Sequence, residues 1–202
     1  MKTPEQDSYS ELVGKRTLIV GEVNSGKTTL CQRILDGFSR QGLGGNILVL
    51  DLAPEIPEHL AAQKGLSGLG GRLKPPRGER VRYLRPALAP PRLMGRSQEE
   101  ILELARANLA AIENIMAQTG VREETLFLND ASMYLQAGCA AKLFSWLERF
   151  HTVVANGYMG KRLGGGELSV RERAQMEALA RFFDRVVRLG GPEEGKLEGE
   201  DQ

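Results

Sequence analysis

The stretch Gly21-Glu22-Val23-Asn24-Ser25-Gly26-Lys27-Thr28 decides the fold of this chain. Its spacing is G-x-x-x-x-G-K-[ST], with the apolar residues 18–20 before it and a helix-compatible stretch, 29–40, after it. Glycines at both ends let the backbone wrap round a phosphate, so that successive N–H groups and the positive end of the following helix face one anion. The stretch, called the P-loop motif below, therefore predicts a phosphate-binding loop between a strand and a helix.

Two side chains at the end of the motif carry the chemistry that it implies. Lys27 supplies a point charge to the outer phosphates, and Thr28 places a hydroxyl where the magnesium ion of a nucleoside triphosphate needs an oxygen ligand. On these residues the chain resembles the P-loop NTPase superfamily, in which the motif is the Walker A sequence. The resemblance implies nucleotide contacts from Gly21 through Thr29 and a catalytic role for Lys27. A Gly-rich turn with an incidental lysine is the alternative.

Length and composition limit the classes of protein that remain. A chain of 202 residues, 41% hydrophobic and 26% charged, accommodates one α/β domain with a substantial core. The net charge of +1 gives no overall attraction to nucleic acid or to an anionic membrane, so neither is expected as a partner. No apolar stretch approaches the roughly 20 residues of a membrane span, and residues 1–10 are polar, so we expect a cytoplasmic protein.

The order of segments along the chain predicts an α/β fold with a mainly parallel, doubly wound sheet flanked by helices. Apolar strands alternate with amphipathic helices from residue 16 to residue 189. Strands are expected at 16–20, 46–50, 81–84, 125–130, 151–155 and 185–189, and helices at 27–40, 97–119, 140–150 and 169–183. This single P-loop domain is expected to span 16–190, after a loose arm at 1–15 and before a disordered acidic tail at 191–202.

Two predicted strands close on an aspartate, at the edge where open α/β sheets bind ligands. Asp51 ends a strand that resembles the second strand of the MinD/ParA-like group, in which the final Asp is used in nucleotide hydrolysis. Asp130 ends a strand of the Walker B pattern, in which the Asp holds magnesium through water beside the P-loop threonine. We therefore expect Asp51 to be catalytic, and Thr28 and Asp130 to hold Mg²⁺. Turn or cap residues are the alternative.

Asn156 follows the fifth predicted strand. In the broad class of P-loop proteins that includes MinD, dethiobiotin synthetase and the signal-recognition GTPases, a strand at this point often ends in an Asn that reads the base. The resemblance implies that Asn156 contacts the nucleotide base. Guanine-reading members continue with Lys, any residue and Asp, whereas Gly157, Tyr158 and Met159 follow here, so ATP is expected rather than GTP. A turn Asn is the alternative.

Residues 65–96 form a Gly-, Pro- and Arg-rich insertion. Its glycines and prolines exclude long regular elements, and it carries eight basic residues against the single acid Glu79. The basic residues are Arg72, Lys74, Arg77, Arg80, Arg82, Arg85, Arg92 and Arg96. Such a segment would be a lid that orders over the nucleotide, or a seat for a protein partner or a small anionic substrate. A solvated loop that pairs with acidic helices is the alternative.

Two classes of function remain open after these observations. The favoured one is a Mg²⁺-dependent, ATP-binding P-loop NTPase that acts as a nucleotide switch or accessory protein. The alternative is an ATP-dependent kinase or ligase whose small anionic acceptor lies under 65–96 and is activated by Asp51. A GTPase, or a fold that binds nucleotide without turnover, are further alternatives. We favour the first because no acceptor-binding motif stands out in the sequence.

Overall fold

The structure is a computed structural model that describes residues 9–56, 71–76, 80–119, 122–160 and 166–190. Within these residues, six strands form one sheet in the order β3-β2-β4-β5-β1-β6, and all neighbouring strands run parallel. The strands are β1 (Arg16–Gly21), β2 (Ile47–Asp51), β3 (Val81–Leu84), β4 (Thr125–Asn129), β5 (Thr152–Tyr158) and β6 (Arg185–Leu189). The predicted α/β fold, with a parallel sheet flanked by helices, is confirmed.

Helices connect the strands close to the predicted positions. They are α1 (Lys27–Gln41), α2 (Pro91–Met94), α3 (Gln98–Gln118), α4 (Ser132–Leu135), α5 (Ala140–Leu147) and α6 (Glu167–Ala180). The Ser97 hydroxyl caps α3 by accepting the N–H of Glu100 at 3.2 Å. Among the described residues, no helix is long and apolar enough to cross a membrane.

The sheet is covered on both faces, which explains why its strands read as continuous apolar runs. Successive residues of β1 point to opposite sides: Leu18 and Val20 lie in one hydrophobic cluster and Ile19 lies in the other. The first cluster includes side chains of α3, α5 and α6, and the second includes the apolar face of α1. This layering holds the carboxyl ends of the strands at one edge, where the P-loop motif begins.

Residues 9–15 pack against the domain. Leu12 is only 6% exposed and belongs to the same cluster as α1. The Tyr9 ring lies against Gly37 of α1, where an added Cβ would come within 2.6 Å of the ring. The Gly14 N–H donates to the Thr152 hydroxyl at 2.8 Å. The expectation of a loose arm is wrong for these residues, while residues 1–8 and the tail at 191–202 lie outside the described part.

Candidate functional site

The P-loop motif connects β1 to α1 as a tight turn. Asn24 has φ 59° and Gly26 has φ 87°, both in the left-handed region that glycine adopts freely and asparagine tolerates. Gly21 is required for a different reason, because a Cβ there would lie 2.4 Å from the carbonyl oxygen of Leu189. The motif therefore curls at the N-terminus of α1, the end of a helix that attracts anions.

Lys27 folds back over the loop that precedes it. Its ammonium group donates to the backbone carbonyl of Glu22 and lies 3.4 Å from the Ser25 hydroxyl oxygen. Burial lowers the pKa of Lys27, while the negative charges of Asp130 and Glu22 act to raise it. The side chain is thus a partly buried cation held close to the loop backbone.

A cavity of about 570 Å³ opens beside the loop. This volume lies within the range of small-molecule sites. One part of its lining comes from the P-loop motif and the strand ends, and the other part comes from α1 and from residues 71–76. The described lining residues are Val23, Asn24, Ser25, Gly26, Lys27, Thr28, Thr29, Gln32, Arg33, Ala53, Gly71, Arg72, Lys74, Asn129, Asp130, Asn156 and Tyr158.

Asp130 lies in this cavity directly after β4. Its φ of 60° is left-handed, and its N–H donates to the side-chain oxygen of Asn156 at 3.0 Å. Its carboxylate accepts a hydrogen bond from the Ser132 hydroxyl. Burial raises the pKa of Asp130, whereas the Ser132 hydrogen bond and the charge of Lys27 act to lower it. The structure therefore brings two of the sequence-predicted residues, Lys27 and Asp130, into the lining of one cavity.

Asn129 lies beside the threonine of the P-loop motif. The Thr28 hydroxyl and the Asn129 side-chain oxygen are 3.5 Å apart. The same oxygen accepts the Asn156 amide at 2.7 Å, and the Asn129 amide donates to the Gly71 carbonyl at 2.9 Å. The sequence analysis missed Asn129, for which the sole signal was a polar residue at the end of an apolar strand.

Asp51 is an anchor inside the protein, which contradicts its expected role in orienting water. The residue is fully buried, and it is absent from the described lining of the cavity. The donors to its carboxylate are the N–H of Ala53 at 3.0 Å, the N–H of Leu73 at 2.8 Å, the Tyr83 hydroxyl at 3.2 Å and the Asn129 amide at 2.7 Å. Four donors occupy the lone pairs that a water molecule would need.

Asn156 differs from its expected position after the fifth strand. It lies inside β5, which continues to Tyr158, and it is only 2% exposed. Its side chain joins Asn129 to the backbone of Asp130, and the residue also contributes to the lining of the cavity. The expectation that Asn156 reads the base, and the preference for ATP over GTP that depends on it, stay predictions.

Residues 71–76, called the second wall below, cover one side of the cavity. The Lys74 N–H donates to the Gln32 side chain at 2.7 Å, and the Gln32 amide donates to the Lys74 carbonyl at 2.9 Å. Leu73 is buried in the cluster that includes α1. The protein's own groups therefore hold the second wall, which contradicts the expectation that it orders only over a bound anion. Residues 65–70 and 77–79 of the insertion lie outside the described part.

Most of the described ion pairs of the insertion join an arginine to a nearby glutamate outside the described lining of the cavity. Arg82 pairs with Glu123 at 3.1 Å, Arg85 with Glu55 at 2.9 Å and Arg92 with Glu172 at 3.1 Å. Burial raises the pKa of Glu172 to about 7, with the charge of Arg92 acting to lower it. These arginines fit the alternative of a loop that pairs with nearby acids, whereas Arg72 and Lys74 line the cavity.

Comparison with known proteins gives a likeness of fold. No protein-family model matches the chain, and no curated protein matches it. One solved structure that matches is that of the flagellar accessory protein FlaH from Methanocaldococcus jannaschii. Its TM-score is 0.52 at 12% sequence identity, over 93% of this chain and 78% of that chain. FlaH has a P-loop ATPase fold, and at this identity the likeness concerns the fold alone.

Proposed function

We propose that this protein is a Mg²⁺-dependent, ATP-binding P-loop NTPase. The observation that carries the proposal is the placement of Lys27, Thr28 and Asp130 in the lining of one cavity, at the N-terminus of the helix that follows β1. The loop N–H groups, the helix terminus and the Lys27 ammonium would together bind the phosphates of a nucleoside triphosphate. The likeness to a P-loop ATPase fold agrees with this proposal.

The residues of the cavity fit a magnesium ion that is bound mainly by water and phosphate oxygens. The described residues include no group of three or more His, Cys, Asp or Glu side chains that would hold a metal unaided. Magnesium typically keeps several waters and takes one or two protein oxygens beside the phosphates. Thr28 would supply a hydroxyl oxygen and Asp130 a carboxylate to the water shell, and the ion would neutralise charge on the phosphate oxygens.

Asp130 is also the one carboxylate among the described residues that line the cavity. Because Asp51 is enclosed by four donors, the acid that acts on the reacting groups would be Asp130. Burial raises the pKa of Asp130, and the Ser132 hydrogen bond and the charge of Lys27 act to lower it. Asp130 would order water around the metal and the phosphates.

Within this activity we favour a nucleotide switch or accessory protein that signals to a protein partner. An ideal Cβ at Gly71 would lie 3.5 Å from the Thr28 side chain, and the Gly71 carbonyl accepts the Asn129 amide. The second wall therefore begins beside Thr28, the residue that would bind the metal. A change at Thr28 on hydrolysis would reach the insertion directly, as in proteins whose loops respond to the γ-phosphate.

An ATP-dependent kinase or ligase is the second candidate. It is favoured by the basic lining of the cavity, in which Arg33, Arg72 and Lys74 lie apart from the P-loop motif. A GTP substrate in place of ATP would keep all the phosphate contacts proposed above, because the two nucleotides carry the same triphosphate.

Phosphate release from ATP and from GTP, with and without Mg²⁺, tests the proposed function. We expect release that requires Mg²⁺ and that is lost in Lys27→Ala, with no added metabolite. ADP formation that appears only when a small anionic metabolite is supplied, with or without phosphate release, would favour the kinase or ligase. Equal release by wild type and Lys27→Ala would contradict both candidates.

A further inference from the structure

Three cations line the cavity apart from Lys27. Arg33 lies on the second turn of α1, and Arg72 and Lys74 lie on the second wall. Two separate elements of the fold therefore direct positive charge into the same cavity as the P-loop motif. Nothing in the roles proposed for Lys27, Thr28 and Asp130 uses these three side chains.

The backbone that carries these cations is held in place. Gln32, the neighbour of Arg33, exchanges two hydrogen bonds with the backbone of Lys74, at 2.7 and 2.9 Å. The N–H of Leu73, between the two cations of the second wall, donates to the buried Asp51 carboxylate at 2.8 Å. These bonds fix the spacing between α1 and the second wall, so the backbone positions that carry the cations are set before any ligand binds.

The acids near the three cations do not balance their charge. Glu55 lies 3.5 Å from Arg72, but it also pairs more closely with Arg85, at 2.9 Å. The Asp36 carboxylate accepts the Gln32 amide at 2.8 Å. Among the described residues, no carboxylate lies within ion-pair distance of Arg33 or Lys74. Cations that converge without acids repel each other, and a bound anion would relieve that repulsion.

Arg33 lies away from the loop along α1. It follows Lys27 by six residues on one helix, which corresponds to about 9 Å along the helix axis. Arg72 lies nearer the loop, because it follows Gly71, whose ideal Cβ would lie 3.5 Å from the Thr28 side chain. Arg33 and Lys74, whose backbones are joined through Gln32, therefore offer a second centre of positive charge in the cavity.

We infer that Arg33 and Lys74 form a second phosphate-binding subsite in this cavity, separate from the P-loop motif. The guanidinium groups of arginine match a phosphate in two parallel hydrogen bonds, and lysine adds a mobile charge. The inference rests on the proposed function, since it deepens the account of what the same cavity binds. The phosphate belongs either to the nucleotide or to a second substrate.

Calorimetric titration of the full chain with inorganic pyrophosphate, without magnesium, tests the subsite. The variants are Lys27→Ala, the double variant Arg33→Gln with Lys74→Gln, and the control Arg40→Gln with Arg106→Gln. The control removes the same charge from exposed positions outside the described cavity lining. We expect two binding events in wild type, of which Lys27→Ala removes one and the Arg33/Lys74 variant weakens the other about tenfold.

A single event in wild type that the Arg33/Lys74 variant leaves within twofold of the control would overturn the inference. If Lys27→Ala changed neither event, the proposed function would fail while the subsite remained.

Repeating the titration with saturating ATP assigns the source of the phosphate. Pyrophosphate that still binds at the subsite indicates a second substrate. Competition by ATP, with weaker ATP binding in the Arg33/Lys74 variant, indicates the nucleotide itself.

Discussion

The Asn129 amide donates to the Asp51 carboxylate at 2.7 Å, across two strands that pair in register at these residues. The same amide donates to the Gly71 carbonyl, and the Asn129 oxygen faces the Thr28 hydroxyl. The ends of β2 and β4, the P-loop motif and the second wall therefore meet in one buried network. Buried networks of this kind are costly to leave partly satisfied.

Asp51→Asn is expected to destabilise the protein by about 2 to 3 kcal/mol, because an amide nitrogen would replace an acceptor that now faces N–H and O–H donors. Urea denaturation measures this loss. Tyr83→Phe removes one of the four donors and should cost about 1 kcal/mol or less. Hydrogen exchange at Leu73 should accelerate more in Asp51→Asn than in Tyr83→Phe. Unchanged stability in Asp51→Asn would show that the carboxylate is not the anchor described above.

Leu12→Ala tests whether residues 9–15 belong to the domain. Because Leu12 is buried against the α1 cluster, its truncation should lower the free energy of unfolding by about 2 to 4 kcal/mol. Glu11→Ala, at the exposed neighbouring position, is the control and should change stability by less than about 0.5 kcal/mol. Equal stabilities of the two variants would indicate that residues 9–15 form a loose arm and do not pack against the domain.

Asp130→Asn should weaken the dependence of turnover on Mg²⁺ more than it weakens nucleotide binding. Asparagine tolerates the left-handed φ of 60°, and its oxygen can still accept the Ser132 hydrogen bond, so the fold should survive. In the proposed site, the lost charge would act on the water shell of the metal. Magnesium titrations of turnover compare the variant with wild type and with Glu177→Gln, which removes an exposed acid of α6. Identical titrations for Asp130→Asn and wild type would remove Asp130 from the metal site.

Glu172 should give stability a pH dependence. Its pKa is raised from 4.5 to about 7, so between these values the folded protein keeps a proton that the unfolded chain has lost. Neutral Glu172 therefore makes its full contribution to the free energy of unfolding below pH 4.5. This contribution, about 3 kcal/mol at most, is lost as the pH rises to about 7. Urea midpoints from pH 5 to pH 8 should show this slope in wild type and in Glu177→Gln, but not in Glu172→Gln. A slope that persists in Glu172→Gln would assign the effect to another group.

The turn at residues 21–28, between a strand and a helix, could be predicted from the sequence because its determinants are contiguous. Glycines, the strand before them and the helix after them occur within one stretch of chain, so local rules decide their arrangement. The approach of Asp130 to Lys27 also follows from the sequence, since the carboxyl ends of parallel strands lie at the same edge of a sheet.

The surroundings of Asp51 and Asn156 could not be predicted, because they depend on neighbours that are distant in the chain. Asp51 meets Asn129 only through the pairing of β2 with β4, and it meets Leu73 only because Gln32 holds the second wall on α1. A polar residue at a strand end has the same sequence pattern whether it faces a ligand or a buried amide. The enclosing donors distinguish the two cases, and they come from tertiary packing.

Calorimetric titration of ATP with Mg²⁺ into wild type and Lys27→Ala tests the central claim most directly. The hydrogen bonds of Lys27 go to the Glu22 carbonyl and the Ser25 hydroxyl within its own loop, so the variant should keep the fold and its thermal stability. We predict saturable binding to wild type with one nucleotide at the P-loop motif, and at least a tenfold loss of affinity in the folded variant. Equal affinity of the two proteins for ATP would contradict the assignment of residues 21–28 as the phosphate-binding loop.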